Sequence, residues 1–95
     1  MIAMKITWTQ KAIDENQKNI DFLMQRWNKK VLANYLHKLD STLDMILKNP
    51  RIGVYDRELK CHKFLVVEQI YLFYEHKGYE LFVLSIWNNA QKPLI

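Results

Sequence analysis

The sequence predicts an α+β domain of element order β-α-α-β-β-β, with a helical hairpin packed on one face of a mainly antiparallel four-stranded sheet. Three observations carry this. Ile2, Met4, Ile6 and Trp8 alternate with Ala3, Lys5 and Thr7, the period-two pattern of a half-buried strand. Two stretches of helical periodicity follow, separated only by a residue or two around Asn28. Beyond residue 60, three runs rich in β-branched and aromatic residues are divided by segments short enough to be hairpin turns.

Taken in order, the first strand ends at Thr9, whose hydroxyl is placed to cap the first helix. From Gln10 to about Trp27 the apolar positions are Ala12, Ile13, Ile20, Leu23, Met24 and Trp27, with Asp14, Glu15, Lys18, Asp21 and Gln25 filling the other face. Asn28 is placed to cap a second helix with a cleaner stripe: Val31, Leu32, Tyr35, Leu36, Leu39, Leu43, Ile46 and Leu47. So short a connection folds the two helices back on each other, and Trp27 is expected to pin the bend. Asn49-Pro50 ends the second helix, because the residue before a proline is pushed out of the α region. Arg51–Leu59 is then expected to be a crossing loop that pivots on Gly53.

The three closing strands are Lys60–Val67, Ile70–Glu75 and Leu81–Trp87, joined by Glu68-Gln69 and by His76-Lys77-Gly78-Tyr79. Alternate strands of a meander run the same way. The polar start of the first (Lys60, His62, Lys63) therefore lies at the opposite end of the sheet from the amide-rich tail of the third (Asn88, Asn89, Gln91). Lys60 and Lys63 at a strand end are otherwise the ordinary charges of an edge strand. His76 in its turn and His37 on the second helix are expected to face solvent.

With 95 residues, 49% of them hydrophobic, the chain is long enough for one domain, residues 1–95, with a modest core. The net charge is +4 and the excess is uneven. Residues 26–63 carry nine Lys/Arg against Asp40, Asp44, Asp56 and Glu58, a local excess of five, which favours contact with phosphates or with an acidic protein. Cys61 is the single cysteine, so neither a disulfide framework nor a thiolate metal site is expected, and it reads as a small packed side chain. No apolar run reaches the ~18 residues of a membrane span, and the first residues lack a signal peptide's apolar region, so a cytoplasmic protein is expected.

The ordered landmarks resemble the RelE/ParE toxin superfamily of type II toxin–antitoxin modules. They are the strand Met4–Thr9; Ile20-Asp21-Phe22-Leu23 with Trp27; the leucine run Leu36, Leu39, Leu43, Leu47 leading into Asn49-Pro50 and Gly53; Tyr71-Leu72-Phe73-Tyr74; and the closing Ile86-Trp87-Asn88-Asn89-Ala90-Gln91-Lys92-Pro93. Two departures bear on chemistry rather than fold. Ala90 stands where the family's ending usually has arginine, and no His-Tyr pair closes the sequence.

The resemblance implies a toxin neutralised by a cognate antitoxin, without a cofactor or metal, and leaves two modes of action open. A ParE-like toxin poisons a protein target such as DNA gyrase, and the long helical hairpin, Ala90 and the missing His-Tyr favour this branch. A RelE-like toxin is a metal-independent endoribonuclease cutting messenger RNA on the ribosome. It would need an acid, a base and a cation at the scissile phosphate. The available groups are His62 as base or acid, Lys60, Lys63 and Arg57 as cationic clamps, and Glu58 as an alternative base. Arg51, Trp87, Asn88, Asn89 and Gln91 are the candidate contacts for target or antitoxin. A small binding domain without toxicity is the third reading.

Overall fold

The computed structural model describes residues 4–90. The elements are β1 (Lys5–Trp8), α1 (Gln10–Arg26), α2 (Lys29–Lys48), β2 (Val54–Asp56), β3 (Cys61–Val67), β4 (Ile70–Lys77) and β5 (Glu80–Asn88). They form one five-stranded sheet in the order β1-β5-β4-β3-β2. Only the β1–β5 pair is parallel, so the first strand is joined to the last, and the three closing strands form the expected meander. Ile2 and Gln91 lie outside the described residues.

The helix boundaries follow from local chemistry. Thr9 is extended and its hydroxyl accepts the Ala12 N–H at 3.1 Å, while Asn28 Oδ1 accepts the Val31 N–H at 3.0 Å. Each cap satisfies a donor that the first helical turn leaves unpaired. Asn49 ends α2 ahead of Pro50. The hairpin buries Ala12 and Leu23 of α1 and Tyr35, Leu39 and Ile46 of α2 in one cluster with Val66, Ile70, Leu72, Tyr74, Leu81, Val83 and Ile86 of the sheet. Across the hairpin, the Tyr35 hydroxyl donates to Asn16 Oδ1 at 2.6 Å, and burial pushes its pKa up to about 12.

Three expectations are corrected. The sheet has five strands rather than four, because Val54–Asp56, read as part of a loop, pairs with Cys61–Lys63 as β2. Trp27 does not pin the bend: it is 63% exposed. Glu15, assigned to the polar face of α1, is buried, and so is Asn19.

That last correction exposes how the sheet is finished on one side. β1 covers β5 only from Glu80 to Val83, so on that side the edge of Leu84–Asn88 has no neighbouring strand among the described residues. Polar side chains at the start and along one face of α1 take the place of a strand there. Glu15 Oε1 accepts the Ile86 N–H at 3.2 Å and the Ser85 hydroxyl at 2.7 Å. Asn19 Nδ2 donates to the Ile86 carbonyl at 3.1 Å, and the Thr9 hydroxyl donates to the Leu84 carbonyl at 3.0 Å. Backbone groups that would otherwise be buried without partners are thereby paired.

Candidate functional site

The candidate residues fall into two groups, which the register keeps apart. His62 pairs with Tyr74 near the start of β3, and Asn88 pairs with Ile70 at the end of β5, beside the β3–β4 turn. Charged cluster and amide tail therefore occupy opposite ends of the sheet, as the meander requires.

Within the first group, strand alternation separates neighbours in sequence. The His62 ring is stacked on Tyr74 at 5.3 Å and meets Tyr55 edge-on at 5.2 Å, on the helix side of the sheet. Lys63 leaves from the other face, where its Nζ lies 3.7 Å from Asp56. The Asp56 carboxylate also accepts the N–H groups of Leu59 and Glu58, both at 3.0 Å. The Leu59 N–H above all, then the Glu58 N–H and the charge of Lys63, hold its carboxyl below the usual carboxylate range. Arg57, Glu58 and Lys60 are exposed in the turn between β2 and β3, with Lys60 at a positive φ of 55°. Among the described residues, no side-chain hydrogen bond or ion pair joins any of these three to His62. Cys61 is buried on the Lys63 face, and burial, with the nearby charges of Asp56 and Glu75, pushes its thiol pKa up.

Tyr74, which sequence reasoning used only as a family landmark, organises this end of the molecule. Its hydroxyl donates to the Pro50 carbonyl at 2.8 Å and accepts the Gly53 N–H at 2.9 Å, and burial pushes its pKa up. Gly53 is the close-approach point: a Cβ there would lie 2.8 Å from both the Lys63 carbonyl oxygen and the Tyr74 hydroxyl. Arg51 is exposed in the loop so held, with its N–H donated to Asn49 Oδ1 at 3.3 Å.

In the second group, Trp87 is half-buried and Lys11 Nζ lies 5.7 Å from its ring centroid. Asn88 is buried and its Oδ1 accepts the Ala90 N–H at 2.9 Å; Asn89 is exposed and donates its N–H to the Gln69 carbonyl at 2.8 Å. Asn88 and Ala90 also line a cavity of about 580 Å³, together with Trp27, Tyr35, Gln69 and others. Arg51 takes no part in this end, since β4 and β3 stand between β5 and the strand it precedes. Of the remaining histidines, His37 is exposed as expected, whereas His76 lies in β4 rather than in a turn and is half-buried. No described helix is long and apolar enough to cross a membrane.

Residues 6–93 match the family model described as the ParE toxin of the type II toxin–antitoxin system parDE. Among solved structures, a chain of the chromosomal ParDE TA system from P. aeruginosa is similar, with a TM-score of 0.71 at 17% identity, covering 90% of this chain and 95% of that one. A YoeB/ParE toxin from Agrobacterium tumefaciens is similar with a TM-score of 0.60 at 18% identity, covering 87% and 95%. No curated protein matches the sequence. At such identities the structural likeness speaks for the fold, and the family model, which spans nearly the whole chain, speaks for descent. The chain belongs to the ParE toxin family of type II toxin–antitoxin systems.

Proposed function

We propose that this ParE-family chain inhibits growth by binding and poisoning a protein target such as DNA gyrase, and that a cognate antitoxin neutralises it. The observation that supports a binding poison over an RNA-cutting enzyme is the divergence of the charged cluster. General acid–base cleavage of RNA needs a proton-transferring group and a cation converging on one phosphate. His62 is packed between Tyr55 and Tyr74 on one face of the sheet, and Lys63 pairs with Asp56 on the other. A poison needs only a rigid surface, which the capped hairpin and the five-stranded sheet provide.

The test is to induce the chain in a bacterial host without its antitoxin. The expected result is growth arrest with double-strand DNA breaks and intact messages. New RNA ends inside translated codons, abolished by His62→Ala with Lys63→Ala, would instead establish the ribosome-dependent endonuclease. Normal growth at good soluble expression would leave only a binding domain without toxicity.

A further inference from the structure

The helical hairpin carries apolar side chains on the side that faces away from the sheet. Ile13 and Met24 of α1 and Leu36 of α2 are exposed to 47%, 43% and 38%. Scattered singly, such residues would need no account. Helical spacing gathers them instead. The Tyr35 hydroxyl on Asn16 shows which flanks of the two helices face each other. At about 100° per residue, Ile20, Ile13 and Met24 follow Asn16 around α1, turning away from the buried Ala12, Asn19 and Leu23. Leu43 and Leu36 follow Tyr35 around α2 in the same sense, away from the buried Thr42 and Ile46. The two rows therefore form the outer lips of the seam between the helices.

The charges of α2 indicate what covers this seam. Lys29 and Lys30 stand exposed in the first turn, and Asp40 and Asp44 stand exposed further along the same outward side. None of the four enters an ion pair among the described residues. The two pairs are separated by about 15–22 Å of helix, and Leu36 lies at the midpoint between them. Such a helix is complementary to itself when reversed. Laid antiparallel on a second copy, with Leu36 against Leu36, it sets each Lys29-Lys30 pair beside the other copy's Asp40-Asp44 pair. A parallel arrangement would stack like charges. A uniformly acidic or basic partner would satisfy one end and oppose the other.

We propose that the outer face of the hairpin is an interface with a second copy of this chain, a twofold dimer in which α2 packs antiparallel on α2 about Leu36 and Ile13 and Met24 flank the contact. The same patch serves both copies, as a twofold axis requires. The apolar lips supply the burial, and the crossed lysine and aspartate pairs fix the orientation and reject the parallel alternative. The hairpin face is about 25 Å long and about 20 Å wide, two helix diameters. Two such faces cover about 1,000 Å² in projection, the lower bound for a specific interface. A dimer that forms and dissociates in the micromolar range is therefore expected. The interface is independent of which target the toxin poisons, since it uses neither sheet edge nor either group of candidate site residues.

The test uses the purified full chain. Sedimentation velocity at rising protein concentration should show monomer giving way to dimer, with concentration-dependent amide shifts at Ile13, Met24 and Leu36. Leu36→Glu with Met24→Glu should weaken the dimer about tenfold or more, with an unchanged thermal unfolding midpoint, because both side chains are exposed. Charge reversal gives the sharper readout. Lys29→Glu with Lys30→Glu should abolish self-association, and so should Asp40→Lys with Asp44→Lys. Mixed together, the two variants should pair with each other, since every contact of the mixed dimer again joins opposite charges. A monomer at every concentration would overturn the proposal, as would a dimer indifferent to both reversals or reversed variants that fail to pair when mixed. So would shifts confined to β2 or to the cavity beside Trp27 and Gln69, or a chain that stays monomeric while taking up an amphipathic helical peptide along the seam. All of these are read on purified protein, so this proposal and the growth-arrest reading fail separately.

Discussion

The two edges of this sheet meet the same problem, a row of unpaired backbone groups, in opposite ways. At β5, where β1 runs out, Glu15 and Asn19 reach from α1 and hydrogen-bond the Ile86 N–H and carbonyl, sealing the edge with buried side chains. At β2, no described strand lies on the outer side, and apolar side chains stand in solvent with cations that have no ion-pair partner among the described residues. The difference sets where the stability of the sheet resides. Changes at the sealed edge should cost folding free energy, and changes of exposed side chains at the open edge should cost little.

The largest effect is expected from Glu15→Leu, which strips partners from the buried Ser85 hydroxyl and the Ile86 N–H. A loss of about 2–6 kcal/mol in denaturant unfolding is expected at ~1–3 per orphaned group, and Glu15→Gln, which keeps an acceptor, should recover most of it. A loss within ~0.5 kcal/mol would mean that the α1 seal contributes nothing.

High pH tests the same side of the molecule. The Tyr35 phenol, which ties α1 to α2, titrates near ~10 in the unfolded chain and at about 12 in the fold. The folded state therefore holds its proton more tightly. The stability this supplies is complete below the unfolded value and is lost as pH rises through the folded one. The expected loss is about 2–3 kcal/mol. Tyr35→Phe should flatten the slope without removing it, since Tyr74 is shifted in the same direction.

Gly53→Ala places a methyl group 2.8 Å from the Lys63 carbonyl and the Tyr74 hydroxyl. It should cost about 1–3 kcal/mol, the range for overpacking, and it should displace β2 from its place beside β3. An unaltered unfolding curve would show that the loop can yield without cost.

The smallest stability effects belong to the open edge. Val54→Lys should leave stability within about 0.5 kcal/mol in denaturant unfolding, because the side chain is 67% exposed; a larger loss would show that β2 depends on its outward side chains. Low pH should act locally there. Because the Asp56 carboxyl is held below the usual range, its contribution is present above about pH 4 and disappears as pH falls through its lower folded value. Loss of amide protection at Glu58 and Leu59 on acidification, measured against the intrinsic exchange rate at each pH and made pH-independent in Asp56→Asn, is the expected signature. Protection indifferent to pH at those two amides would refute it.

Much of the fold could be read in the sequence because its signals are local. Thr9, Asn28 and Asn49-Pro50 mark helix ends by cap chemistry that needs no tertiary contact. The misses share a different cause. β2 has three residues between Gly53 and the Asp56 turn, too few to establish a period. Glu15 and Asn19 are polar, which by itself points to solvent, yet they fall on the same face as Ala12 and Leu23, at the spacing of a buried stripe. Trp27 is apolar at a helix end and was expected inside, but its position at the bend leaves it 63% exposed. The candidate site was legible in part. The separation of His62 from the amide tail follows from the meander, whereas the divergence of His62 and Lys63 needed the register of β3 to assign each to a face.

The phenol of Tyr74 touches both Pro50 and Gly53 while its ring lies wholly within the core. The outermost strand thus takes its position from a residue in an interior one. A substitution deep in β4 can therefore shift the rim of the sheet without altering a single exposed side chain.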